Sequence, residues 1–385
     1  MDKSRISVEV WLRKDGPIQS MYEKIGIRTR VIPTLPVSNT VFRFSRNLAS
    51  KLILYRDLWR SRGLWQELAT EIEASYDLVH FNHTNLYPVA QRLRPLMVKP
   101  FSMHVRSAIE ELYEGSNRTF VSDSVNEWTS RLFARSQTAI TSKYIDSFVF
   151  ISEYEKTSYY QLGGCKPGYV IHNPISSAQP TAPHPAVPEG TRFKIACIEN
   201  YRWSRGTDRL VEIAAEMRRR NYRNAVFVVA GDMSIPNNIA GPLGELGRHG
   251  GNLQDYVKQQ GLSDWFKFLG HVSNPEDVIF GCDTLISLTR RVGPWGRSVI
   301  EAMNLEKPII ATGPNQGFIS HWEDGIYWKF YSSGGLAEDI IKLASNRRLY
   351  ERIAQRAKSR IVAMCGQPNQ SNALAEYWID LVNSA

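Results

Sequence analysis

Cysteine is scarce in this sequence: four residues in 385, at Cys165, Cys197, Cys282 and Cys365, with no CxxC pair and no histidine at metal-ligand spacing. That excludes a disulfide-stapled fold and a cysteine-built metal centre, and a reducing compartment is the simplest setting. The opening stretch MDKSRISVEVWLRKDG lacks the apolar segment of roughly 7–15 residues that a signal peptide needs. No run of about 18 apolar residues occurs, so no transmembrane helix is expected. The expected location is cytoplasmic, at most resting on the inner face of the cell membrane. Glycine (26) and proline (19) are near average, which excludes collagen-like and broadly disordered chains.

What is present is ordinary globular composition, 43% hydrophobic and 22% charged. The length is too great for one simple core and predicts two domains. The net charge is +9. Either the chain takes an anionic partner, such as a phosphorylated ligand or an acidic lipid surface, or the excess lysine and arginine only solvates its surface. No nucleic-acid-binding motif accompanies the charge, so nucleic acid is not an expected partner.

The C-terminal half alternates apolar runs with helical patterns. FKIACI (193–198), AVFVVAG (225–231), FKFLG (266–270), TLISL (284–288), PIIAT (308–312) and IYWKF (326–330) read as strands. A helix from about Thr207 to Arg219 repeats apolar residues at Leu210, Ile213, Ala214 and Met217, and another runs from Leu253 to Gln260. Continuous apolar strands separated by helices predict a parallel sheet covered on both faces, a doubly wound α/β domain. The N-terminal half repeats this less cleanly, with strand candidates at 6–12, 29–35, 78–83, 101–105, 148–152 and 169–173 and a short helix at 153–162. Between the halves, SSAQPTAPHPAVPEG holds four prolines, the composition of a linker. The expected organisation is a first Rossmann-like domain over 1–175, a linker over 176–191, a second Rossmann-like domain over 192–365, and a C-terminal helix within 366–385 that returns to the first domain. Cys197 and Cys282 lie in or beside apolar runs and read as core residues.

In open α/β sheets ligands bind beyond the carboxyl ends of the strands. The most informative segment there is GPWGRSVIEAMNLEKPIIAT (293–312), where a Gly-rich turn follows strand 284–288 and opens a helix near Arg297. Helix N-terminal amides attract phosphate. Glu301, one turn in, is either an acceptor for a ribose diol or an acid placed for the helix dipole.

This segment, with RWSRGTDRLVEIA (202–214), FVVAGD (227–232), FLGHV (268–272), ISEYEK (151–156), VIHNPI (170–175), YDLVHFNH and FSMHVRS, resembles in order family 4 of the glycosyltransferases, which have the GT-B fold. The resemblance covers roughly residues 76–365 and is specific as an ordered set. It implies an α/β GT-B fold, two Rossmann-like doubly wound domains facing a cleft. It further implies retaining transfer of a sugar from a UDP- or GDP-sugar to a glycan or lipid-linked acceptor, with no metal or other cofactor required. Departure of the diphosphate develops negative charge, which fixed positive groups stabilise. By this resemblance the catalytic residues are Arg205, which stands at the family's lysine position, together with Arg202 and His104. Asn200 falls nearer the position expected for the second basic residue than Arg202 does. Donor binding falls to Gly206, Gly270, His271, Gly293, Trp295, Gly296, Arg297, Ser298 and Glu301. His80 reads as structural and His83 as a cleft-wall residue.

Two departures stand out. Gly293 replaces the first of the family's paired glutamates, so backbone groups substitute, the donor sugar differs, or turnover is impaired. The family's opening strand, Gly-rich loop and helix have no counterpart before ISVEVWL, so either the gene start is placed too far downstream or the first sheet is one strand short. Residues 40–62 combine six lysines and arginines with phenylalanine, leucine and tryptophan. They form either a helix packed on its sheet or a basic face on an anionic membrane. The alternatives to a transferase are a catalytically impaired binding or partner subunit and a GT-B nucleotide-sugar epimerase.

Overall fold

In a computed structural model of the protein, the described residues are 5–37, 52, 56, 58–60, 63–109, 123–176, 179–237, 239, 241–290, 296–315, 317 and 319–384. They form two compact units: one holds the described residues up to Ile109, Ser124–His172 and the chain from Pro368, the other Asn173–Gln367.

Each unit is a Rossmann-like α/β domain built on parallel strands. In the first, β1 (Glu9–Leu12) and β2 (Arg28–Val31) pair in parallel around helix α1 (Pro17–Lys24). The second strand is predicted to run to residue 35 but stops at Val31; Pro33 has no N–H for a ladder, and Ile32 and Leu35 are buried in the core as loop residues. A second parallel sheet follows in the order β3 (Val79–Phe81), β4 (Phe101–Val105), β5 (Ser147–Phe150), β6 (Gly168–Val170). Helices α2 (Leu64–Ser75), α3 (Tyr87–Leu93), α4 (Asp123–Tyr144) and α5 (Glu153–Gln161) connect these strands. One face of the sheet packs Phe101, Met103, Phe148 and Phe150 against Leu68 and Ile72 of α2 and Leu93 of α3.

The opposite face is covered from the far end of the sequence. Of the last three helices, α13 (Gln367–Asn383) lays Tyr377, Leu374, Trp378 and Leu381 against Val149 and Ile171. The main-chain N–H of His172 donates to Gln370 Oε1 at 2.7 Å, and Arg5 pairs with Glu376 at 2.5 Å. A segment distant in sequence therefore completes the burial of the first unit's sheet.

In the second unit six parallel strands take the order β12–β11–β10–β7–β8–β9: β7 (Phe193–Ile198), β8 (Ala225–Ala230), β9 (Phe266–Gly270), β10 (Thr284–Leu288), β11 (Ile309–Thr312) and β12 (Ile326–Trp328). Counted within the unit this is 3-2-1-4-5-6 read from the other edge, the doubly wound order that binds nucleotides where the winding reverses. Alternation along the strands feeds two apolar layers. Ile195, Cys197, Phe227, Val229 and Ile286 face α6 (Arg209–Arg219), α8 (Leu253–Gln259) and α11 (Ser333–Ser345). Ala196, Val228, Leu285 and Ile309 face α9 (Pro275–Phe280), α10 (Arg297–Asn304) and α12 (Arg347–Cys365). The remaining helix, α7 (Gly241–Arg248), follows β8. Leu210, Ile213, Ala214 and Met217 are all buried, as the period of α6 predicts. Cys197, Cys282 and Cys365 are buried and Cys165 is exposed; all four are free thiols. The proline-rich stretch is packed, not a bare tether: Val187 joins the second layer and His184 N–H donates to the Asp277 carbonyl.

Tyr377 is 6% exposed and central to the patch that holds α13. Tyr377→Ala is expected to cost about 3 kcal/mol of unfolding free energy, the range for emptying a large aromatic site. Denaturant titration measures the loss, and hydrogen exchange should show it concentrated in α13.

Candidate donor site at the switch point of the second unit

All strands of the second sheet run parallel, so their carboxyl ends share one edge. The winding reverses between β7 and β10, which are neighbours. The segment after β7 carries Glu199, Asn200, Tyr201, Arg202, a 3-10 turn Trp203–Arg205, and Gly206. The segment after β10 leads through residues 291–295 to Gly296 and α10. Gly293 and Trp295 fall in that stretch and lie outside the described residues.

Several contacts build the basic turn. Gly206 sits at φ 69°, and a Cβ there would lie 2.0 Å from the Leu288 carbonyl oxygen. Only glycine lets the turn approach the end of β10 so closely. Arg290 reaches back from beyond β10. Its main-chain N–H donates to the Ser204 carbonyl at 2.8 Å, and its Nη1 donates to the Trp203 carbonyl at 2.7 Å. Its guanidinium forms a two-pronged pair with buried Asp208 at 2.8 and 2.5 Å and lies 4.7 Å from the centre of the Trp203 ring. Arg209 adds a bond to the Leu288 carbonyl at 3.2 Å. The basic turn and the exit of β10 are thus one tied unit, which presents Arg202 exposed and Arg205 half-buried.

Asn200 Oδ1 accepts from the Asp232 N–H at 2.8 Å and holds the exit of β8. Arg202, three residues before Arg205, is exposed. Beyond β8, Gly231 N–H donates to the Gly270 carbonyl at 2.7 Å. Gly270 has φ 68° and His271 is exposed, both at the carboxyl end of β9.

On the other side of the switch point, the N-cap of α10 is Gly296, which has no side chain to offer the first-turn amides of Arg297 and Ser298. Glu301 is 5% exposed and accepts from exposed Arg297 at 2.8 and 3.2 Å. Burial pushes its carboxyl above the usual range, Arg297 opposes, and Glu276 on α9 adds to the rise.

Three side chains of this site went unnoticed in the sequence: Glu199, Asp208 and Arg290. Glu199 directly follows β7, Arg290 stands two residues past the end of β10, and Asp208 two residues past Gly206, and closeness to a strand end or to the turn glycine was the only signal each carried. Glu199 Oε1 accepts from Ser287 Oγ on β10 at 3.2 Å and lies 4.0 Å from Arg205 Nη1.

His104 belongs to the first unit, in the inner strand β4 next to its exit, and is 7% exposed. Its ring meets His80 edge-on at 5.8 Å, and its Nε2 is buried without a hydrogen-bond partner. Burial, then the Arg106 cation and the His80 and His83 rings, press its pKa down to about 2. His80 is pushed down to about 3 by burial and Arg106. Both are neutral imidazoles at working pH. His80 Nδ1 is bonded to Ser102 Oγ at 2.5 Å and receives Trp378 Nε1–H at 3.3 Å. His83 caps the 3-10 turn Thr84–Leu86, accepting from Asn85 N–H at 3.0 Å. Among the described residues no cluster of three or more His, Cys, Asp or Glu side chains is placed to hold a metal ion, and no helix is long and apolar enough to cross a membrane.

With this geometry established, similarity to known proteins is informative. Residues 180–360 match the family described as Glycosyl transferases group 1. No curated protein sequence matches the chain. Among solved structures, Anabaena HepE in complex with UDP superposes with TM-score 0.69 at 17% identity, over 97% of this chain and 92% of that one. Its complex with UDP-glucose gives TM-score 0.67 at 17% identity, over 97% and 91%. Sucrose-phosphate synthase from Thermosynechococcus elongatus gives TM-score 0.69 at 14% identity, over 99% and 100%. These likenesses establish the fold as GT-B.

Arg290→Ala would leave Asp208 buried and unpaired. We expect a loss of about 3–5 kcal/mol in denaturant unfolding, whereas the double variant Arg290→Met, Asp208→Leu should lose less. A double variant as unstable as the single one would show that the pair itself does not hold the turn.

Proposed function

We propose that this glycosyltransferase, whose residues 180–360 form a domain of the Glycosyl transferases group 1 family, moves a sugar with retention from a nucleoside-diphosphate sugar to a glycan or lipid-linked acceptor. The observation that carries the reading is the switch point of the second sheet. There two arginines and an open helix N-terminus stand beyond the ends of its first and fourth strands. Residues 192–365 serve as the donor domain and 1–175 as the acceptor-side domain.

Arg205 and Arg202 take the diphosphate, whose growing negative charge on departure they stabilise. The amides of Gly296–Ser298 hold a phosphate oxygen, an arrangement favoured by the helix dipole. Glu301, oriented by Arg297, accepts from the ribose hydroxyls. Gly206 is required by the turn, while Gly270 and His271 line the base side. Gly293 and Trp295 are assigned to donor binding with them. His104, a neutral imidazole, is assigned to the transferred sugar as a hydrogen-bonding group and not as a cation. The complexes of HepE with UDP and UDP-glucose favour a uridine donor over a guanosine one. Gly293, where the resembled family has glutamate, favours a second reading: a nucleotide-binding partner subunit with impaired turnover. Donor hydrolysis across a panel of nucleotide sugars separates the two.

For the acceptor side, Leu52 and Trp59 are 61% and 68% exposed beside exposed Arg56 and Arg60. The rest of the 40–62 segment lies largely outside the described residues. We assign this segment to peripheral contact with an anionic membrane, which suits a lipid-linked acceptor.

Two outcomes are expected. Arg205→Ala should lower turnover by about a hundredfold or more while the fold stays intact; full activity in that variant would remove Arg205 from the mechanism. The protein should sediment with anionic vesicles, not with zwitterionic ones, and 0.5 M salt should release it, since the Debye length then falls to roughly 4–5 Å. Equal sedimentation with both vesicle types would exclude the electrostatic contact.

A further inference from the structure

A carboxylate is the least expected group in a cradle for an anion, yet Glu199 stands at its floor. It leaves the carboxyl end of β7 with its side chain 13% exposed. Ser287 on the adjacent strand β10 holds Oε1 at 3.2 Å, so the side chain bridges the crevice between the two strands. Oε2 is shut from solvent and has no hydrogen-bond partner. The charged groups acting on Glu199 are Arg205, 4.0 Å away, and Arg202, both on the turn after β7. The titratable neighbour on its own strand is Cys197, which burial holds as a thiol. Asp232, after β8, spends its carboxylate on Ser234. On the β10 side the partner is the hydroxyl of Ser287, which does not titrate.

A buried carboxylate with one bare oxygen is supported chiefly by its neighbouring cations. An incoming diphosphate competes for those same cations. Once they turn to phosphate, a charged Glu199 would face two like charges with its counter-ions gone. We infer that Glu199 is the exchangeable counter-charge of this site: it balances Arg205 and Arg202 before a donor binds and takes up one proton from solvent when the donor's diphosphate replaces it. The inference rests on the reading of those arginines as diphosphate ligands. Its direction agrees with the environment, since burial already raises the Glu199 carboxyl against the lowering effect of Arg205, Ser287 and Arg202.

Linkage gives the sign. A ligand that prefers the protonated form binds most tightly at low pH and loses affinity as pH rises through the titration of Glu199 in the complex. Arginine stays charged at every working pH, so the slope belongs to the carboxyl. The probe is UDP-glucose, or GDP-mannose if that binds more tightly, because a sugar-capped diphosphate keeps its charge between pH 5 and pH 9. Calorimetry in two buffers of different protonation heat counts the protons. The wild-type protein should take up as much as one proton per donor bound, and its Kd should rise by as much as tenfold per pH unit over the titration. Glu199→Gln, nearly the same shape without the charge, should show no uptake, a flat Kd, and tighter binding than the wild type at pH 9. Wild-type binding with no proton uptake at any pH overturns the inference without need of the variant. Weaker binding by Glu199→Gln at every pH also overturns it, making Glu199 an organiser of Arg205 instead. If neither donor binds the wild type, the diphosphate reading of the arginines falls, and this inference with it.

Discussion

The proposed donor site depends on one tie: Arg290, just past β10, grips the carbonyls and the Asp208 carboxylate of the turn after β7. Two strands that are neighbours in space but 86 residues apart from Ile198 to Thr284 are thereby locked at the end where a ligand would sit. The glycine at 206 permits the approach and the buried ion pair enforces it. Without that tie the basic turn would be an ordinary exposed loop, and its arginines would spend rotamer entropy on every encounter with an anion. A preorganised cation stabilises developing charge without reorganising at the moment of reaction.

The same economy is visible in the first unit, where polar groups are buried for position more than for charge. His80 is held by Ser102 and Trp378, and His104 lies against it with one nitrogen unsatisfied. Desolvation removes the cationic form of both rings from the working range. A histidine so placed exchanges hydrogen bonds, not charge. That Trp378 comes from the last helix means the chain's end contributes to the surroundings of a strand near its beginning.

Much of this was legible in the sequence because the signals are local. The strand FSMHV matches its predicted bounds, and the apolar period of α6 and the continuous apolar runs of β8 and β10 correspond to buried positions. Gly206 was legible because a glycine between a basic turn and a helix has a backbone reason to be there. Glu199, Asp208 and Arg290 were not, because each is an ordinary charged residue until its partner across the sheet is known. Helices such as α4 and α12 were not placed either; they add no strand, glycine or cleft residue that a motif could flag. Residues 326–330 split in the same way: three become strand, while Phe330 is 77% exposed beyond the edge.

The sequence alone determined the alternation of strand and helix, the parallel pairing that continuous apolar runs demand, and the residues that follow each strand, since these arise from periodicity and backbone chemistry within a few positions. Only the tertiary structure decided that Asn200 serves the backbone while Arg202 stays open, that Glu301 is already paired, and that a carboxylate lies beneath the arginines. Those outcomes depend on distance and burial between segments far apart in the chain, and both are properties of packing.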